Sequence, residues 1–268
     1  MFRGIAFHEN TGTATNPAFA PYTYFAFGMQ SSPVPYGANY LVTDGTFADI
    51  DNDGDFDIVG GIYNGHNNYS RVYAYLENTG SPASPDFSGA IPQSLGLNHS
   101  QPYFHVELVD IDNDGDLDII GGRIHDVPLN FLHDEIIYHE NTGSATNPAF
   151  IPAPIIKPFN LNIQTDNAFS DRITTEFCDI DNDGDFDCFT MIRGAFHPFY
   201  FKNTGNATSP SFAEHHGNQF GLSPIVLQDG YLKDYFYWAE SCFGDIDNDG
   251  DLDVLMSIFY SEHDTSSI

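Results

Sequence analysis

The sequence predicts an all-β fold, a β-propeller built from four repeats of about 60–70 residues. Three markers that keep one order through four copies carry that prediction. The first is an aspartate-rich nonapeptide, DIDNDGDFD or DIDNDGDLD, beginning at Asp49, Asp110, Asp179 and Asp245. The second is ENTG or KNTG, at Glu9–Gly12, Glu77–Gly80, Glu140–Gly143 and Lys202–Gly205, each followed by a small-residue stretch and Pro-x-Phe. The third and weakest is Phe27-Gly28-Met29, Leu95-Gly96-Leu97, Phe159-Asn160-Leu161 and Phe220-Gly221-Leu222.

Between the markers the residues read as strands. YLVTDGTFA, YFHVELV, ITTEFC and YWAESCFG stand before the aspartate loops; IVGGIY, IIGGRI, CFTMI and VLMSIFY follow them. GIAFHE, RVYAYLE, EIIYHE and PFYFKN precede the NTG turns. These are β-branched and aromatic runs bounded by Gly, Asn, Asp and Pro, and none shows sustained helical periodicity. Phe7, Tyr75, Tyr138 and Tyr200, three residues before each turn Asn, are expected to be packing positions. The repeats run approximately 9–76, 77–139, 140–201 and 202–268 within a single domain of residues 1–268. Residues 1–9 copy the strand that elsewhere joins a loop to its NTG turn. They are expected to close the last repeat, in cis within one chain or in trans in the next molecule, which would build a filament.

The formal net charge is −30, and the four loops hold 20 of the 38 acidic residues against only 8 Lys and Arg. Nucleic acid is therefore excluded as a partner, since phosphate binding needs clustered basic residues, and anionic membranes are disfavoured for the same reason. No apolar run approaches the roughly 20 residues of a membrane helix, so no membrane insertion is expected. The start, MFRGIAFHENTG, has no signal-peptide apolar region, and an export signal is expected outside the 268 residues. Three cysteines do not make a disulfide scaffold. Cys178 and Cys188 flank the third loop and could face each other on a hairpin, so a disulfide and apolar packing are both open there. Cys242 is expected to be free and buried. Sequons at Asn68, Asn98 and Asn206 decide little.

Carboxylates at alternate positions of a tight loop converge on one point, and Gly at the sixth position permits the turn. Several charged oxygen ligands suit Ca²⁺ better than Mg²⁺ or zinc. Four Ca²⁺ sites are expected. The side-chain ligands would be Asp49, Asp51, Asp53 and Asp57; Asp110, Asp112, Asp114 and Asp118; Asp179, Asp181, Asp183 and Asp187; and Asp245, Asp247, Asp249 and Asp253. Asp55, Asp116, Asp185 and Asp251 would contribute backbone carbonyls. A solvated acidic turn is the plain alternative for one such loop, but four near-identical copies argue against it. An EF-hand is excluded because its twelfth position needs Glu and here holds Gly60, Gly121, Thr190 or Met256.

The FG-like element, the DxDxDGxxD loop and a following strand ending in Gly-Gly together resemble the FG-GAP or VCBS repeat family, which includes the calcium-binding blades of integrin α-subunit propellers. The resemblance covers nearly the whole chain. It implies a β-propeller with calcium in a hairpin loop near each blade's edge, usually with about seven blades, where this chain has four units. Departures are the missing FG at 95–96 and 159–160 and the lost Gly-Gly after the third and fourth loops.

No GxSxG, HExxH or phosphate-binding glycine loop is present, so no enzymatic activity is expected. His215-His216, His133-Asp134 and the Trp238 cluster with Tyr235, Phe236 and Tyr237 are the remaining polar or aromatic groupings, with packing the plainer reading of each. The expected function is a calcium-binding extracellular or cell-surface module for adhesion, binding or assembly. Its partners would be a protein or glycan ligand, or copies of itself as a homo-oligomer or filament. Alternatives are a structural subunit of a surface fibre and an accessory module of a larger secreted hydrolase.

Overall fold

The computed structural model describes residues 6–13, 15–24, 26–29, 40–64, 71–88, 95–97, 103–123, 135–163, 173–192, 199–215, 219–222, 236–247 and 249–260. These residues are all-β, with antiparallel strands and three 3₁₀ turns. The chain divides into two compact units, Met1–Tyr103 with Thr142–Pro152, and Phe104–Asn141 with Ala153–Ile268.

In the first unit β1 (Ala6–Phe7) pairs with β2 (Thr23–Tyr24), and β3 (Tyr40–Ala48), β4 (Asp57–Asn64) and β5 (Arg71–Leu76) form a sheet in that order. The second unit holds β6 (Tyr103–Val109), β7 (Asp118–Arg123), β8 (Glu135–His139) and β9 (Ile155–Ile156) as one sheet. A second sheet is β10 (Ile173–Cys178), β11 (Asp187–Ile192), β12 (Phe199–Asn203) and β13 (Phe212–His215), and β14 (Phe236–Gly244) pairs with β15 (Asp253–Tyr260). Each aspartate loop is the connection between the first two strands of a sheet. Within the second unit β10 lies against β7, and β14 lies against β10 and β11. Ile120, Ile136, Leu161, Ile173, Cys188 and Phe201 meet in that unit's core, all at most 1 % exposed. Ile58, Leu76 and Phe87 form a smaller core in the first.

The NTG marker is a side-chain clamp. Asn78 Oδ1 accepts the N–H groups of Gly80 (3.0 Å) and Asp86 (2.9 Å), and Asn203 Oδ1 does the same for Gly205 and Ser211. Asn10 Oδ1 likewise accepts from Gly12 and Ala18. The following Thr donates its hydroxyl to a carbonyl seven residues on, at Ala18, Asp86, Ala149 and Ser211. One amide oxygen thus closes each of these three turns, and each bond contributes about 1 kcal/mol net.

The FG-like marker is a backbone conformation. Phe27, Leu95, Phe159 and Phe220 have φ of 55°, 44°, 51° and 54°, and the next residues Gly28, Gly96, Asn160 and Gly221 have 76°, 94°, 67° and 75°. Two successive left-handed residues need Gly or Asn at the second, since those side chains cost least there. Leu95-Gly96 and Phe159-Asn160, the apparent departures from FG, therefore keep the element. Phe27 and Leu95 offer their carbonyls to the N–H of Phe87 (2.7 Å) and Phe150 (2.8 Å), each the Phe of the next repeat's Pro-x-Phe. This bond explains why the markers keep their order.

Register corrects the cysteine expectation. Three of the hairpins pair the residue before the first Asp with the ninth-position Asp itself: Ala48 with Asp57, Cys178 with Asp187, Gly244 with Asp253. Cys188 therefore faces Phe177, one position over, and alternation sends Cys178 and Cys188 to opposite faces. All three cysteines are free. Cys188 is sealed in the core, while Cys242 is exposed rather than buried because it sits opposite Leu255, itself 62 % exposed.

Of the expected closing strand, residues 1–9, the described part is 6–9, where Ala6–Phe7 pairs with Thr23–Tyr24 as β1 with β2. Residues 1–5, and residues 261–268 at the other end of the chain, lie outside the described residues. So do Asn68, Asn98, His133, Asp134, His216 and Tyr235. Among the described residues no helix is long and apolar enough to cross a membrane.

Candidate metal centre

Each loop is built from its own carboxylates before any ligand is considered. The first-position Asp accepts two backbone N–H groups of its own loop: Asp49 from Asp53 (3.0 Å) and Gly54 (3.1 Å). Asp110, Asp179 and Asp245 repeat this with the fifth and sixth residues of their loops. The fifth-position Asp then accepts the N–H of the seventh residue in all four copies. The turn is left-handed at Gly54, Gly115, Gly184 and Gly250, with φ of 95° to 98° and open space around each. Asn52, Asn113 and Asn182 take φ of 54° to 57°, which accounts for Asn at the fourth position.

The side chains of Asp49, Asp51 and Asp53 bring carboxylate oxygens within 4.8 Å of one another, as do Asp110, Asp112 and Asp114, and Asp179, Asp181 and Asp183. In the fourth loop the grouping is Asp245, Asp247 and Asp253. Asp249 lies outside it.

The ninth-position Asp has a structural role in the first three loops. Asp57 Oδ1 accepts the N–H of Asn78 (2.8 Å) and its Oδ2 accepts the Tyr75 hydroxyl (3.2 Å). Asp118 is held the same way by Asn141 and Tyr138, and Asp187 by Asn203 and Tyr200. Each is 1 % exposed. Tyr75, Tyr138 and Tyr200, read from the sequence as packing positions, thus lend their hydroxyls to the loop. The signal that could have found them is their fixed place three residues before the turn Asn. Among the described residues no turn Asn or Tyr holds Asp253, whose Oδ2 accepts the Ile246 N–H of its own loop.

Crowding raises the carboxyl pKa values. Burial pushes Asp57 up to about 6 and Asp118 to about 7, against the turn N–H groups that hold them down. Burial and then the Asp114 charge push Asp116 to about 6. Asp55, Asp112, Asp185 and Asp187 are also raised, with burial the largest cause. Asp181 is lowered instead, because Lys202 donates to it.

One oxygen each of Asp51, Asp55, Asp112, Asp116 and Asp185 is buried without a hydrogen-bond partner. These are third and seventh positions. Anionic oxygens removed from water without a donor are strongly unfavourable, and a hard divalent cation satisfies several at once. The seventh Asp, expected to offer its backbone carbonyl, thus also carries a buried, partnerless carboxylate oxygen in the first three loops, and in the first loop the Asp53, Asp51 and Asp49 charges add to burial in raising the Asp55 carboxyl.

Clefts adjoin two loops. One of about 590 Å³ beside the first loop is lined by Phe7, Phe27, Phe47, Phe56 and Phe87 together with Asp55. Another, about 140 Å³, lies between the second and third loops, touching Asp110, Asn113, Asp179 and Asp185. The side chain of His215 and those of Phe236, Tyr237 and Trp238 lie outside the described residues, although their backbones belong to β13 and β14.

The family model for the FG-GAP-like repeat matches residues 49–121. No curated protein and no solved structure matches the chain. The matched stretch opens on the first aspartate of the first loop, takes in the second NTG clamp, Glu77–Gly80, and ends at Gly121 beyond the second loop. This chain carries an FG-GAP-like repeat.

Proposed function

We propose that the chain is a calcium-binding β-propeller module that works outside the cell or at its surface, without catalysis, in adhesion, ligand binding or assembly. The observation that carries the reading is the pairing of converged carboxylates with buried, partnerless oxygens at the third and seventh loop positions. Asp49, Asp51, Asp53 and Asp55 would hold the ion in the first loop and their counterparts in the second and third; Asp245, Asp247 and Asp253 would do so in the fourth. The ion supplies charge neutralisation and cross-links the hairpin loop; Asp57, Asp118 and Asp187 tie that loop to the NTG clamp. Sheets stacked in sequence order within the second unit support a propeller arrangement. The matched repeat supports an extracellular setting. The phenylalanine-lined cleft beside the first loop supports a ligand with an apolar face, such as a sugar ring or an aromatic side chain.

Calorimetric titration of metal-free protein tests the metal reading. Uptake is expected to approach four ions per chain at saturating calcium, and to fall by one in Asp51→Asn/Asp53→Asn. Absence of heat on calcium addition, with the protein folded, overturns it. A glycan array probed with and without EGTA tests the ligand class, with chelator-sensitive binding as the expected result.

The raised carboxyl pKa values give a pH signature in the metal-free protein. A group with a folded pKa above its unfolded value stabilises fully below the unfolded value, and that contribution is lost as pH rises through the folded one. Asp57, Asp116 and Asp118, at about 6, 6 and 7, place the loss between about pH 4 and 7. Asp181 has the opposite sign. Metal-free protein is therefore expected to melt at a lower temperature at pH 8 than at pH 5. Saturating calcium should reverse the slope, since the ion binds deprotonated carboxylates. Melting scans at four pH values, with and without calcium, check both slopes.

A further inference from the structure

The four loops are near-identical in sequence, but the residue before the turn Asn is not. It is Glu77 after the first loop and Glu140 after the second, whereas the third is followed by Lys202. Glu140 is near enough to help push up the Asp112 carboxyl, so it adds negative charge to its loop. Lys202 does the reverse. Its Nζ donates to Asp181 Oδ2 and, at 3.3 Å, to Asp183 Oδ2. Those are two of the three carboxylates that converge in the third loop.

We propose that Lys202 is a tethered competitor for the third cation site, which makes that loop the low-affinity member of the set. The proposal rests on the calcium reading above. An ammonium and a divalent ion cannot share two carboxylates, so calcium enters the third loop only by displacing Nζ. The side chains of Lys202, Asp181 and Asp183 are 32 %, 29 % and 41 % exposed, and the four-carbon stem gives the displaced ammonium a path into solvent. The local charge balance differs by two units from the Glu-bearing repeats, through loss of one acid and gain of one base. At an effective dielectric appropriate to partly exposed pairs this weakens the third site by about tenfold or more. At low calcium the third loop stays neutralised by its own lysine while the others depend on the ion. The module then fills in two stages, and its response extends over a wider calcium range than equal sites would give.

Calcium titration of the full chain, followed by calorimetry and by terbium luminescence, tests this with Lys202→Glu and Lys202→Met. Wild type is expected to show a stronger class of sites and one weaker site, and Asp183→Asn should remove only the weaker. Lys202→Glu, which restores the ENTG of the other repeats, should strengthen that site about tenfold, with Lys202→Met between the two. Because the side chain is partly exposed, Lys202→Met keeps the test usable if charge reversal impairs folding. Superimposable isotherms for wild type and both variants, with calcium bound in all, overturn the competitor role alone. Absence of calcium binding in every protein overturns the underlying reading instead.

Discussion

Addition of EGTA is expected to lower the melting temperature by more than ten degrees, and Mg²⁺ is expected to restore little of the loss. Twenty aspartates stand in four nine-residue loops of a chain whose formal net charge is −30. In each loop three carboxylates bring oxygens within 4.8 Å of one another. Like charges at such spacing repel by about 1 kcal/mol per pair even in bulk water, and by several times that where solvent is partly excluded. A site held a hundredfold above its Kd adds about 2.7 kcal/mol of stability by mass action. For a chain of this size each kcal/mol shifts the melting temperature by about 2–4 °C. One strong site is thus worth several degrees, and several sites exceed ten. Mg²⁺ demands a small octahedral cage and gives up its water reluctantly, so it is a poor substitute in a loop built for more numerous oxygen ligands. Scanning calorimetry with EGTA, then with added calcium or magnesium, reads the effect. A melting curve unmoved by EGTA would falsify the stabilising role of calcium.

The long strands and the loops were legible in the sequence because their signals are local. Runs such as RVYAYL and ITTEFC carry β-branched and aromatic residues between turn residues, and they form β5 and β10 with nearly the expected bounds. The outer strands β2, β9 and β13 were not legible. At two to four residues they show no measurable alternation, and they form because the NTG clamp turns the chain back along its own sheet. Register escaped for a different reason. Whether Cys188 meets Cys178 or Phe177 is set by where the hairpin loop ends, and the ninth Asp proves to be the first residue of the returning strand. That single step decides the cysteine chemistry. The roles of Tyr75, Tyr138 and Tyr200 depend on a third strand crossing behind the loop, about twenty residues away in sequence for the first two, which no short motif encodes. Lys202 was visible as a break in a repeat, but only its contact with Asp181 and Asp183 gives the break a meaning.

Gly122→Ala is expected to destabilise the second unit severely, with a loss of about 3 kcal/mol or more. Gly121 and Gly122 are the glycine pair that follows the second loop, and both lie inside β7. A Cβ on Gly122 would run into the carbonyl oxygen of Ile173, the first residue of β10, and one on Gly121 into the carbonyl oxygen of His105 in β6. Neither obstacle is a flexible side-chain end. Both are backbone groups of neighbouring strands, so relief requires moving a strand, and Ile173 itself is 1 % exposed in the core. The glycines thus mark close approach, one to the partner strand within the sheet and one to the sheet of the following repeat. The corresponding positions in β11, Thr190 and Met191, carry full side chains that are themselves buried, so the space between sheets is not uniform along the second unit. Gly244→Ala supplies the control. Gly244 also lies in a strand, but nothing stands within 4 Å of an added Cβ there, and the smaller entropy cost of Ala should leave stability unchanged or slightly higher. Denaturant unfolding of both variants, in saturating calcium so that the loops stay closed, separates crowding from chain stiffness. Equal midpoints for Gly122→Ala and wild type would show that β7 and β10 are not in the close contact that excludes a methyl group.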